Sequence, residues 1–233
     1  MSEARPRIGV VAFPGSNDDR DALRALESLG ADAVPVWHAD ERLPEVAGIV
    51  LPGGFSYGDY LRCGAIARFA PAMRAVAEFA ADGGPVLGIC NGFQILCEAG
   101  LLPGALRPNA SLSFVCRDVD LRTERTDTPF TALCEPGQTL TIPIKHGEGC
   151  WFADDRLLAE LEANGQIVLR YENNPNGSVA DVAGVVNAER NVMGLMPHPE
   201  HAVDPLLGST DGALILGGLV AAARDRSVVS VSV

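Results

Sequence analysis

Positive charge is scarce in this chain. Eighteen Lys and Arg stand against 30 Asp and Glu over 233 residues, giving a formal net charge of -12 and a pI near 4.7. A surface of that sign repels phosphate backbones and anionic lipid, which excludes nucleic acid and a membrane as partners. Long apolar runs are missing as well: the longest, Gly212 to Ala223, is too short and too rich in glycine to span a bilayer. The six cysteines, at 63, 90, 97, 116, 134 and 150, contain no Cys-x-x-Cys spacing, and Met1 to Pro6 has no apolar segment followed by a small-residue cleavage site. Reduced thiols in the cytoplasm are the expectation. No Gly-x-x-x-x-Gly-Lys-[Ser/Thr] loop occurs, which argues against nucleotide binding by this chain alone.

No repeat, low-complexity stretch or linker divides the sequence, and its length suits one α/β domain, residues 1–226, followed by a short tail, 227–233. Apolar β-branched runs at Ile8 to Phe13, Ala33 to Trp37, Gly48 to Leu51 and Val86 to Ile89 alternate with helical patterns at Arg20 to Leu29 and Arg62 to Ala81. Asn17 or Asp18 stands where the first helix needs a cap, and Gly30 closes it. Continuous apolar strands between helices predict a doubly wound, mostly parallel sheet covered on both faces. From Leu112 the texture changes to alternation, in Ser111 to Arg122 and Thr139 to Lys145, which predicts an antiparallel extension. A helix at Asp155 to Ala163 follows, then strands at Gln166 to Tyr171, Val182 to Asn187 and Val192 to Met196. A last helix is predicted from about Leu206 to Arg224.

The most informative segment is Pro85-Val86-Leu87-Gly88-Ile89-Cys90-Asn91-Gly92. A strand ends at Gly-x-Cys-x-Gly and helical spacing resumes through Phe93, Ile95 and Leu96, which is the pattern of a nucleophile elbow with sulfur in place of oxygen. Flanking glycines are needed because side chains there collide with the neighbouring strand and helix. Cys90 then projects at a helix N-terminus, where backbone N–H groups and the helix dipole favour thiolate. A thiol nucleophile needs a base and a group to orient the base.

Four histidines supply few candidates: His38, His146, His198 and His201. His198 lies in Met-Pro-His-Pro-Glu-His directly after an apolar strand. In an extended segment residues two apart point the same way, so Glu200 orients His198 while His201 faces away and is structural. His198, Glu200 and His201 as metal ligands would be the rival reading, but His-x-Glu-His between prolines lacks the one-turn spacing of a helical metal pair. No metal is expected. His146, after an alternating strand, reads as a polar turn or contact residue. The Gly-rich loop Pro52 to Asp59 follows the third strand, and Gly54 or Phe55 is placed to supply one oxyanion-stabilising N–H, with Asn91 supplying the other.

Cys90 in Gly-Ile-Cys-Asn-Gly-Phe-Gln, His198 and Glu200 in Pro-His-Pro-Glu, and the Pro-Gly-Gly-Phe loop resemble the class I, or triad, glutamine amidotransferases. More narrowly, Leu51 to Ala67, Thr123 to Phe130, Pro143 to Phe152 and Tyr171 to Pro205 resemble the glutaminase subunits of phosphoribosylformylglycinamidine synthase, from purine biosynthesis. The resemblance implies that Cys90 attacks the side-chain amide of glutamine, that His198 carries the proton to departing ammonia, and that a glutamyl thioester forms and is hydrolysed. It implies an oxyanion pocket of Gly53, Gly54, Phe55 and Asn91. Glutamine would be seated by Gln94 and by the segment Asn109 to Phe114, with Asn109, Ser111 and Phe114 as contacts. It also implies a large synthetase subunit that holds ATP and Mg2+ and receives the ammonia, a small bridging subunit, and no cofactor in this chain. A cysteine esterase would share the elbow but place an acid before the histidine, a chaperone-like or deglycase relative would keep the cysteine without the glutaminase activity, and a noncatalytic binding subunit would need neither.

Overall fold

The computed structural model describes residues 5–231, so Met1 to Ala4 and the last two residues of the expected tail lie outside the described residues. In chain order the elements are β1 (Arg7–Ala12), α1 (Asp19–Ser28), β2 (Asp32–Trp37), β3 (Gly48–Leu51), α2 (Pro71–Ala81), β4 (Val86–Ile89) and α3 (Asn91–Glu98). Then come β5 (Ala105–Arg107), β6 (Val115–Thr123), β7 (Thr139–His146), β8 (Cys150–Phe152) and α4 (Asp155–Ala163). The chain finishes with β9 (Ile167–Tyr171), β10 (Val182–Val186), β11 (Val192–Leu195) and α5 (Gly212–Val231).

One nine-stranded sheet runs β2-β1-β3-β4-β11-β10-β9-β6-β7. Neighbours from β2 through β11 are parallel, and from β11 through β7 they are antiparallel. The change of direction falls beside β11, so the parallel half and its antiparallel extension meet at the strand that precedes His198. Leu51 and Gly48 show how both faces are covered: Gly48 faces Leu219 of α5, whereas Leu51, an odd number of residues along the strand, lies against Gly92 of α3. The buried run Ile49, Val50, Leu51 and its neighbours Val86, Leu87, Ile89, Val192 and Leu195 therefore forms the centre of the core.

Several boundaries depart from the sequence reading for identifiable reasons. The long helix expected from Arg62 begins only at Pro71, after a 3-10 turn at Ala67–Phe69. Ala70 is extended at ψ 142°, as the residue before a proline must be, and proline itself suits the first helical position. The last helix starts at Gly212 rather than Leu206, because Gly208 turns left-handed at φ 101° and closes a separate 3-10 turn. It then continues through 227–231, into the segment expected to be a loose tail. The two-stranded ribbon of β5 and β8 has three residues on each side, too few for alternation to register. Helix α4 matches its expected span, and its cap Asp154 accepts from the N–H of Leu157 at 2.8 Å. Among the described residues no helix is long and apolar enough to cross a membrane.

A methyl group on Gly92 would overlap the carbonyl oxygen of Leu51. Gly92→Ala is expected to lower stability by about 3 kcal/mol in chemical denaturation, since neither α3 nor β3 has room to withdraw. A loss below about 1 kcal/mol would show that the elbow tolerates the side chain.

Candidate active site

Strand β4 passes into α3 through Cys90, whose backbone sits at φ 51°, ψ -105°. That is a strained geometry for a residue with a side chain, and it is held from three directions. The Cys90 N–H donates to the carbonyl of Leu195 at 2.8 Å. A Cβ on Gly88 would stand 2.5 Å from Leu96 and 2.8 Å from the Gly92 carbonyl carbon, so the glycines serve the close approach expected of them. The parallel register Ile89↔Leu195 sets the ends of β4 and β11 side by side, and the chain leaving β11 delivers His198 beside the thiol. Strand β7 closes over both: the His198 N–H donates to Pro143 at 2.8 Å, and the Cys90 thiol approaches the Lys145 carbonyl at 3.9 Å.

His198 and Glu200 are almost wholly buried. His198 Nδ1 and Glu200 Oε1 lie 2.6 Å apart. The other nitrogen, Nε2, has no well-formed hydrogen bond of its own, yet the thiol is near enough for its charge to act on the ring. Burial alone would lower the imidazole pKa, but the charges of Glu200 and Cys90 outweigh it and push it up to about 10. The ring is thereby held ready in its protonated form. Cys90 and His198 share one cavity with Asp18, Gly54, Phe55, Asp59, Cys63, Gln94, Phe114, Lys145 and Glu148.

The structure brings Cys90, His198 and Glu200 together, but by a route that differs from the extended segment predicted. Pro199–His201 is a 3-10 turn, and the turn brings His201 to the same side as its neighbours, with its ring centroid 5.6 Å from that of His198. His201 therefore does not face away. Its Nε2 is 3.2 Å from Asp18 Oδ1 and 2.9 Å from Lys145 Nζ.

Among the four residues expected to make the oxyanion pocket, Phe55 is corrected as a donor: its N–H is committed to the carbonyl of Gly15 at 2.8 Å. Gly54 lines the cavity with a left-handed φ of 147°. Gly53 lies behind it, where a side chain would strike Asp18 at 2.5 Å and His198 at 2.6 Å. Asn91 opens α3, so its backbone N–H has no partner within the helix. Its side chain supports the loop, accepting from the Ser56 N–H at 3.2 Å and donating to Gln94 Oε1 at 2.9 Å.

The expected glutamine contacts divide. Gln94 and Phe114 line the cavity, and Gln94 Nε2 donates to the Glu148 carbonyl at 2.7 Å. Asn109 is corrected: it is fully buried, its Nδ2 donates to the carbonyls of Ser113 and His146, and its Oδ1 accepts from Gly149 and faces His146. No polar atom of that side chain is free for a ligand. Ser111 is exposed and bonds to Ser113, outside the cavity lining. His146 is corrected as well, from a surface turn to a buried group between Asn109 and Asn176. Burial and the nearby charge of His198 lower its pKa to about 4.

Asp18 was missed. It occupies the cap position of α1, but its side chain makes no capping bond and turns into the cavity. Its place after β1, at the carboxyl end of a parallel strand, was the available signal. Asp18, His198, Glu200 and His201 offer ligand atoms within 4.8 Å of one another. The ammonium of Lys145, the only lysine in the sequence, already stands among them, 2.5 Å from Asp18 Oδ1. A metal ion would have to displace that cation, so the cluster fits an internal ion pair better than a metal.

A family model for the CobB/CobQ-like glutamine amidotransferase domain matches residues 5–211. The chain is 62% identical to a phosphoribosylformylglycinamidine synthase subunit PurQ from Rubrobacter xylanophilus, over 94% of this chain and 99% of that protein. It is 56% identical to the subunit of the same name from Mycobacterium tuberculosis, over 94% and 96% of the two chains. A chain in the structure of PurLQS from Thermotoga maritima superposes with a TM-score of 0.87 at 46% identity, covering 94% of this chain and 99% of that one.

A buried neutral histidine contributes stability that is present above its unfolded pKa and is lost as pH falls toward the folded one. For His146 the window runs from 6.5 down to about 4, worth about 3 kcal/mol across it. The stability gap between the protein and its His146→Gln variant is therefore expected to narrow as pH falls through that window, measured by denaturant unfolding. A gap that stays constant would mean that His146 titrates normally.

Proposed function

The chain belongs to the CobB/CobQ-like glutamine amidotransferases, and among them to the glutaminase subunits of phosphoribosylformylglycinamidine synthase, and from that premise we propose that Cys90, His198 and Glu200 are its catalytic triad. The observation that carries this reading is the buried imidazole of His198, bound to a carboxylate at Nδ1 and turned toward a strained thiol with its other nitrogen unpartnered.

Glutamine enters the cavity with its side-chain amide toward Cys90. The proton of Cys90 already resides on His198, whose pKa is raised to about 10, and the sulfur attacks the amide carbon. Negative charge then develops on the amide oxygen, and in this reading the N–H groups of Asn91 and Gly54 are the donors that receive it. Donors fixed beforehand in a site closed to water stabilise such charge strongly. Collapse of the intermediate takes the proton from His198 to the leaving nitrogen, releasing ammonia and leaving a glutamyl thioester. Water, deprotonated by His198, then attacks the thioester, the carbon–sulfur bond breaks, and glutamate leaves with the Cys90 sulfur freed and the proton back on His198. Glu200 fixes the ring orientation and holds its charge throughout.

Ammonia is the useful product only if it stays unprotonated, since ammonium has no lone pair with which to attack. The chain therefore acts docked to a large synthetase subunit, with a small bridging subunit, and hands ammonia to it directly. The PurLQS assembly of Thermotoga maritima supports that partnership. ATP and Mg2+ belong to the synthetase subunit.

In the assembled complex, Cys90→Ala is expected to abolish synthesis from glutamine while leaving synthesis from added ammonium salts intact, as followed by product formation. Loss of both activities would place the chemistry elsewhere. Glu200→Ala is expected to lower glutaminase kcat by less than His198→Ala does, because an orienting group is more dispensable than the proton carrier. Equal losses would make Glu200 a proton carrier in its own right.

A further inference from the structure

His198 is faced by more charge than the triad supplies. Cys90 approaches from the start of α3, Glu200 and His201 from the turn after β11, Lys145 and His146 from β7, and Asp18 from the cap of α1. Asp18 is the unexpected member. It is 3% exposed, and its Oδ2 lies 3.7 Å from His198 Nδ1, the nitrogen that Glu200 also holds. Its Oδ1 is occupied by Lys145 at 2.5 Å and His201 at 3.2 Å. One oxygen is thus tied down by two nitrogens while the other is turned to the imidazole.

Gly53 makes this approach possible, since a side chain there would stand 2.5 Å from Asp18 Oδ2 and 2.6 Å from His198 Cε1. The capping bond that an aspartate at this position would ordinarily make is absent. Burial works to raise the Asp18 pKa, but His201, His198 and Lys145 hold it well below the usual carboxylate range, so the group is charged at every pH at which the enzyme would work.

Resting on the triad reading above, we propose that Asp18 is a positioning residue for the catalytic imidazole: a second carboxylate, anchored by Lys145 and His201, that shares with Glu200 the holding of His198 and its positive charge. Lys145 has two roles in this arrangement. Its ammonium fixes Asp18, and its carbonyl lies at the Cys90 thiol. The imidazolium formed when Cys90 gives up its proton is therefore met by two anions on its Nδ1 side. The orientation of the ring is set from two directions, by the turn after β11 and by the cap of α1. This double support also explains why the loss of Glu200 alone is expected to be tolerated in part.

The test is Asp18→Asn, which keeps the shape and removes the charge. The Cε1–H signal of His198 is followed by carbon-edited NMR across pH in the full chain, and is identified by its absence from His198→Gln. Its midpoint is expected to fall by about one pH unit in Asp18→Asn, the size of shift left when a charge near 4 Å, partly balanced by a lysine, is removed. In the assembled complex glutaminase kcat is expected to fall about tenfold with the KM for glutamine nearly unchanged, as loss of a group acting only on the charged ring would produce. Asp18→Asn combined with Glu200→Gln is expected to lower kcat by more than the product of the single effects. An unmoved midpoint, or a change confined to KM, overturns the proposal. Should Asp18→Asn fail to fold, Asp18→Asn with Lys145→Met removes the ion pair together and carries the same readout. Glutaminase activity surviving in Cys90→Ala would instead overturn the triad reading itself, whatever Asp18 does.

Discussion

A protonated imidazole inside a protein core is the constraint that organises this molecule. His198 is 1% exposed, and a charge so placed is costly unless anions and hydrogen bonds surround it. Glu200 at 2.6 Å and Asp18 at 3.7 Å provide the anions, and Lys145 balances the second of them. His198 and Glu200 share the turn after β11, whereas Asp18 comes from the start of α1 and Lys145 from β7. The arrangement exists only when β1, β7 and β11 have all reached their places, so the site reports on the whole fold.

The sheet achieves this by changing character at β11. Its parallel half places the ends of β1, β3 and β4 on one edge, where loops and helix starts supply Asp18, Gly54 and Cys90. Its antiparallel half carries the chain out to β7 at the far edge of the strand order. The hydrogen bond from His198 to Pro143 and the contact of the thiol with the Lys145 carbonyl show β7 returning over the site. A purely parallel sheet would leave that side of the cavity open. The buried pair His146 and Asn109 stiffens this return, because every polar atom of Asn109 is bonded to the backbone or to the imidazole.

The loop after β3 shows a different balance. Tyr57, Asp59 and Leu61 all adopt left-handed backbone conformations, an unusual concentration outside glycine. Bonds from Ser56 to Asn91 at 3.2 Å and from Tyr57 to His38 at 2.6 Å hold the segment in place. Side-chain anchoring of this kind offsets the backbone cost and fixes Gly54 in the cavity it shares with Cys90.

Local patterns by themselves determined the elbow, its glycines, the strands on either side and the candidate base. Those features depend on steric rules and on periods of two or 3.6 residues, which are written in adjacent positions. Helix starts were legible less well: Pro71 stops the helix predicted from Arg62, and Gly208 delays the one predicted from Leu206. The tertiary structure alone decided what Asp18, His201, Asn109 and His146 do. Asp18 has the sequence position of a helix cap and is taken instead by a lysine 127 residues away. His201 was placed by a turn rather than by strand alternation, and Asn109 and His146 became buried partners of each other. A polar side chain bonds to whichever group folding brings within reach, and a residue's neighbours along the chain do not specify that group.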